Sequence, residues 1–174
     1  MKRETSTTAA VRTRRDASGN ARTDAVSPSP QPATRSIRTR LFGEIQVSTA
    51  VLFSLKFGMP GFESATTFVL VELRSGSRFR WLQSVDIPDL GFIVVDASEV
   101  YAGYPVPLVR RAIAFADIDP DEEVVALALC RIPSGDEPAT ANLLAPIGLG
   151  LRSRRGAQIL LHDDSLSMSM PLVI

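Results

Sequence analysis

The sequence predicts a mostly β protein, a compact, barrel-like single domain with one short helix, preceded by a disordered N-terminal tail. Three observations lead there. From position 40 onward, short apolar or alternating runs recur between turn residues, the period-two signature of strands rather than the 3.6-residue period of helices. Eight or nine such runs fit into the 134 residues from Leu41 to Ile174, more than a single open sheet usually carries, so a barrel or sandwich is expected. The first 39 residues, by contrast, are rich in Ser, Thr, Arg, Ala and Pro, include Ser27–Pro32 (SPSPQP), and hold almost no large apolar side chain. Such a stretch buries too little surface to offset its ordering entropy. The expected organisation is a basic tail over 1–39 and a folded domain over 40–174.

Taken in order, Phe42–Val47 alternates and reads as the first strand, followed by Val51–Phe57 and the breaker Gly58-Met59-Pro60-Gly61. Thr67–Leu73 is rich in β-branched residues, and Ser75-Gly76-Ser77 turns the chain into Phe79–Val85. The proline loop Asp86–Asp89 leads to Gly91–Asp96, a continuous apolar run of the kind buried on both faces. Pro105-Val106-Pro107 sets an extended entry to the one expected helix, Leu108–Phe115, with Leu108, Ala112 and Phe115 near one face. An acidic loop, Asp117–Glu123, precedes Val124–Ile132, Asn142–Leu151, Gln158–Leu161 and Ser167–Val173, with Arg152–Gly156 joining the middle two.

The net charge of zero hides two opposed segments. Residues 1–40 hold nine Lys/Arg against three acids, or +6, while 41–174 hold ten against sixteen, or −6. An acidic body disfavours nucleic acid as ligand and suits a basic protein partner. The alternative is a nucleic-acid-binding small barrel that uses the basic tail; it would require exposed aromatics interleaved with Lys/Arg, whereas the domain's aromatics sit mainly in apolar runs. The single cysteine, Cys130, lies in the apolar run Val124–Cys130, as a buried strand residue would, and this points to a reducing compartment. No run approaches the ~18 apolar residues of a membrane span, and no signal-peptide pattern opens the chain, so a cytoplasmic location is expected.

Catalysis and metal binding find little material. A structural zinc site needs clustered Cys, His or carboxylate ligands, and the chain has one Cys and one His, His162, read as a surface residue beside Asp163 and Asp164. Gly58–Gly61 is followed by no Gly-Lys-Ser/Thr, so it is a turn rather than a phosphate loop. Asp86, Asp89 and Asp96 lie close in sequence, which a two-carboxylate hydrolase would use, but Pro88 and Asp89 are ordinary turn formers. Trp81 reads as core rather than a stacking platform. We therefore expect no catalytic residues, no metal and no cofactor.

Four stretches carry a resemblance: Phe42-Gly43-Glu44-Ile45, Phe57–Glu63 (FGMPGFE), Phe79–Asp96 (FRWLQSVDIPDLGFIVVD) and Thr140–Ile147 (TANLLAPI). In order and spacing they resemble the flagellar assembly factor FliW family, from Arg40 to about Leu172, with Arg155–Gln158 similar to that family's late hairpin. The resemblance implies a β-barrel-like fold and a non-enzymatic cytoplasmic protein, a monomer when free, with no membrane and no direct nucleic-acid contact. Its implied partners are flagellin and, when flagellin is scarce, the translational regulator CsrA, whose block on flagellin mRNA it relieves. Such a circuit requires that each partner weaken the binding of the other. The residues expected to meet partners lie on the loops that carry the resemblance: Phe62, Glu63, Gln83, Asp86, Asp89 and Asn142.

Overall fold

The computed structural model describes residues 33–173 apart from 134, together with the strand residues 14–15 and 21–22. The chain divides into a unit over Met1–Gln31 and a unit over Pro32–Ile174. In the first, Arg14–Arg15 pairs antiparallel with Ala21–Arg22; the rest of the expected disordered tail up to 32 lies outside the described residues.

The second unit opens with a hairpin of β1 (Thr34–Thr39) and β2 (Gly43–Ser48). The sequence reading placed β1 in the tail, and the structure corrects that boundary. TRSIRT offers one apolar side chain, too few for a periodic signal, yet Ile37 is buried with Val47 against Val69 of the barrel. The three-residue connection is closed by the Thr39 hydroxyl, which donates to the Gly43 carbonyl at 2.9 Å and accepts from the Phe42 N–H at 2.9 Å. Gly43 takes φ +67°, the left-handed position such hairpins need.

Seven strands then close on themselves: β3 (Leu52–Leu55), β4 (Thr67–Glu72), β5 (Arg80–Ser84), β6 (Gly91–Asp96), β7 (Val124–Arg131), β8 (Thr140–Gly150) and β9 (Arg155–Gln158). Each pairs antiparallel with the next. With an odd number, direction cannot alternate all the way round a ring, so one junction must be parallel. It is β9 against β3, Arg155 opposite Ser54 and Gly156 opposite Leu55. A short β10 (Met170–Pro171) pairs with the beginning of β8.

Strand alternation sorts the side chains into an interior and an outer skin. Phe53, Leu55, Phe68, Leu82, Val94, Leu127, Ile147 and Leu149 fill the barrel. Outside, Val95, Ala126, Ala128, Ala141 and Leu143 receive the helical connection between β6 and β7. That connection holds two helices rather than one. Helix α1 (Ala97–Val100) starts on Asp96, whose carboxylate accepts the Ser98 N–H at 2.8 Å. Helix α2 (Val106–Ala112) begins earlier than expected, because Pro107 fits a first helical turn, where its missing N–H is not needed. Its buried face is Val109 and, just beyond, Ile113 and Ala116, one residue out of phase with the predicted Leu108, Ala112 and Phe115.

Two further strands depart from expectation. β9 lies at Arg155–Gln158, three residues before the predicted Gln158–Leu161. The true strand carries Gly156 and Ala157, small residues demanded by close approach: a Cβ on Gly156 would sit 2.1 Å from the Gly148 carbonyl oxygen. The C-terminal strand shrinks from Ser167–Val173 to the two residues of β10. Cys130 stands on β7 as expected, and burial pushes its thiol up to about 11 against the opposing pull of Arg78, so it is a protonated filler. Trp81 lies half-buried on the outer face of β5 over Gly91, where a Cβ would meet its indole at 2.5 Å.

Candidate functional site

The two ends of the barrel are built differently. One is plugged by the β3–β4 loop (56–66) and the β5–β6 loop (85–90). Gly58 permits the tight turn, at φ +68° and with the Glu63 carbonyl 2.5 Å from where a Cβ would stand. Met59, 2% exposed, points into the interior cluster with Ala65 and Leu90. The Gly61 N–H donates to a Glu63 carboxylate oxygen at 2.9 Å. A bond from its own N–H, and then that from Gly61, hold the Glu63 carboxyl below its usual range.

The second loop is tied by side chains that the sequence reading had assigned to partners. Gln83 is 1% exposed. Its amide NH₂ donates to the carbonyls of Ser84, Pro88 and Leu90 at 2.9, 3.1 and 2.9 Å, and its oxygen accepts the Trp81 indole N–H at 2.9 Å. Buried in this way, Gln83 sets the shape of the loop rather than presenting a side chain on its surface. One Asp86 oxygen accepts the N–H groups of Thr66 and Thr67 at 2.8 and 2.7 Å, which staples one loop to the other. A carboxylate committed to two backbone donors is a structural clamp rather than a free base. Asp96, read beside it in sequence, stands at the opposite end of β6 as the α1 cap.

Phe62, Glu63, Gln83, Asp86 and Asp89 thus gather at the plugged end, and of these Phe62, Glu63, Asp86 and Asp89 are exposed. Asn142 does not join them. It sits in β8 opposite Leu129, at a bulge where the register moves from Asn142–Leu129 to Ile147–Leu127. Its side-chain oxygen accepts the N–H groups of Leu144 and Ala145 at 3.1 and 2.9 Å, orphans that the bulge removes from the ladder. Residues the sequence reading missed lie nearby: Phe57, 66% exposed, stacks on exposed Phe115 with ring centroids 5.5 Å apart. Phe62 meets Phe92 edge-on at 6.2 Å. The available signal was a pair of phenylalanines bracketing Gly58–Gly61, since a tight turn lifts its flanks toward solvent.

The other end is an open mouth edged by charge. Two acids of the acidic loop are ion-paired and a third is buried among neutral donors. Asp117 pairs with Lys56 at 3.3 Å and Arg155 at 3.7 Å, and Asp119 pairs with Arg152. Glu122 is 3% exposed and accepts from the Ser153 N–H and hydroxyl and the Arg152 N–H, at 3.0–3.1 Å, and from the Asp119 N–H at 3.3 Å. Burial alone would raise its pKa, but these donors together outweigh it and hold the carboxyl below its usual range.

Among the described residues no group of three or more His, Cys, Asp or Glu side chains could hold a metal, and no helix is long and apolar enough to cross a membrane. His162 is exposed in the loop after β9.

With this geometry in hand, known proteins place the chain. The family model described as FliW protein matches residues 36–172. Proteins named flagellar assembly factor FliW are similar along most of their length. That of Geobacter sulfurreducens is 36% identical over 135 residues, covering 78% of this chain and 84% of the relative. That of Caldicellulosiruptor saccharolyticus is 32% identical over 128 residues, covering 74% and 84%. That of Bacillus subtilis is 31% identical over 136 residues, covering 78% and 95%. A crystal structure of the flagellar assembly factor FliW superposes with a TM-score of 0.70 at 26% identity, covering 80% of this chain and 98% of that one.

Proposed function

The chain belongs to the FliW family, and on that premise we propose that it is a cytoplasmic flagellar assembly factor that binds flagellin and, when free of flagellin, binds and antagonises a CsrA-type translational regulator. The family match over residues 36–172, nearly the whole folded unit, is the observation that carries this reading. The surface supports it. Phe57 and Phe62 are exposed aromatics on a cross-tied loop pair, and exposed Phe115 of the helical connection stacks on Phe57, an arrangement suited to anchoring an apolar segment of another protein. Glu63, Asp86 and Asp89 give the same end a negative fringe, which suits a basic, RNA-binding partner. The proposed role is holding rather than chemistry, and the proposed free state is a monomer.

The experiment is capture of the C-terminal segment of flagellin by the full chain, followed by displacement with CsrA. Retention at micromolar concentration, with CsrA and flagellin excluding one another, is the expected result. No capture at micromolar concentration would overturn the flagellin half; simultaneous, independent binding of both would overturn the switch.

A further inference from the structure

The open mouth lies away from the plugged end and holds a cavity of about 510 Å³, within the range of small-molecule sites. Its floor is apolar, formed by Phe53, Leu70 and Val125 of three different strands. Two arginines line it, Arg80 on β5 and Arg154 on the β8–β9 turn. Unlike Arg152 and Arg155, neither has an ion-pair partner among the described residues.

Arg154 is held in place with unusual care. Its backbone has φ +57°, a left-handed conformation that glycine adopts freely and arginine does not. Its N–H donates to the Gly150 carbonyl at 3.1 Å, and its carbonyl accepts the Ser54 N–H at 2.8 Å. The preceding residues hang on buried Glu122. The guanidinium then lies 5.0 Å from the centre of the Phe53 ring, so a positive charge stands directly on the apolar floor. A turn that needed shape alone would be met by glycine. The side chain matters where its charge is placed.

We propose that the mouth of the barrel binds a small apolar monocarboxylate, its body on Phe53, Leu70 and Val125 and its carboxylate on Arg154 and Arg80. The source is a free short-chain acid or the free C-terminus of a peptide ending in apolar residues; the chemistry is the same. Asp96 and Glu123 line the same cavity. Asp96 is committed to the α1 cap at 2.8 Å, and exposed Glu123 stands on the rim. Both repel a second negative charge, so a dicarboxylate of equal length binds less well.

The test is calorimetric titration of the full chain with octanoate, octan-1-ol, octanedioate, and N-acetyl-Leu-Leu as free acid and as amide. Octanoate or the free-acid peptide binds, and the alcohol, the diacid and the amide bind at least about tenfold more weakly. Whichever carboxylate binds identifies the source. Arg154→Gly loses about tenfold or more of that affinity while its melting temperature without ligand does not fall, because glycine is at ease at this φ. Arg80→Gln loses several-fold and carries the test should the glycine variant fold poorly. Equal binding of octanoate and octanol, undiminished binding by both variants, or no heat with either carboxylate would overturn the proposal. None of these readings involves flagellin or CsrA, so the result is independent of the assembly-factor role.

Discussion

The plugged end and the mouth of the barrel solve one problem in two ways. Each must finish a ring of strands whose interior is apolar. At the plugged end the chain folds apolar side chains back inside, Met59 and Leu90, and ties the loops over them with Gln83 and Asp86. At the mouth the interior is left open, and the turn is held instead by a buried carboxylate, Glu122, with arginines at the edge. Burial closes one end, and electrostatics shape the other. The two should therefore respond to different perturbations.

The largest expected effect tests the seal. Met59→Ala should cost about 3 kcal/mol in denaturant unfolding, since it empties a fully buried site. Leu151→Ala, half-buried at the mouth, should cost under about 1 kcal/mol. Equal losses would abolish the distinction. Next, Glu122→Ala strands the donors that converge on the carboxylate and should cost about 2–3 kcal/mol. The same group sets a pH signature. Because its folded pKa lies below the ordinary 4.5, its contribution is fully present above that value and is lost as pH falls through the folded pKa. Urea midpoints measured from pH 6 downward should show this acid loss in the native chain and a shallower one in Glu122→Gln.

A smaller effect comes from Gly150→Ala. A Cβ there would stand 2.2 Å from a Glu122 carboxylate oxygen, so the clamp must shift, at about 1–2 kcal/mol. A melting temperature equal to the native one would show that the clamp is slack. The smallest change in stability, within about 0.5 kcal/mol, is expected for Phe57→Ser, because the ring is largely in solvent. Capture of flagellin should nonetheless weaken by about tenfold, and unchanged capture would move the docking surface elsewhere.

Much of the barrel was legible because its strands are apolar and alternate. Phe68, Leu82, Val94 and Leu127 all sit where that pattern puts them. Legibility failed where another constraint set the residue. β9 needs glycine and alanine to approach β8, so the apolar run after it drew the prediction three residues too far. β1 earns its place through Ile37 alone, and one side chain makes no period. The predicted contact residues show a related confusion. Gln83 and Asn142 stood out because they sit in the stretches that carry the resemblance, and there the Gln83 amide NH₂ and the Asn142 side-chain oxygen are engaged by local backbone. What sequence could not show was φ: nothing in Ser-Arg-Arg-Gly announces that Arg154 is left-handed.

The single parallel junction has a consequence in time. Ser54 and Arg155, the partners that close the ring, are 101 residues apart (155 less 54), whereas every other junction joins neighbours in the chain. A ribosome makes β3 early and its last partner late, so during synthesis the nascent sheet is an open ribbon with its Phe53 and Phe68 face uncovered. Closing so long a loop is entropically slow. The interval between those two strands is the chain's window of exposure, and a circular permutant opened in the β8–β9 turn would only transfer it, since β8 and β9 would then be the distant pair that closes the ring.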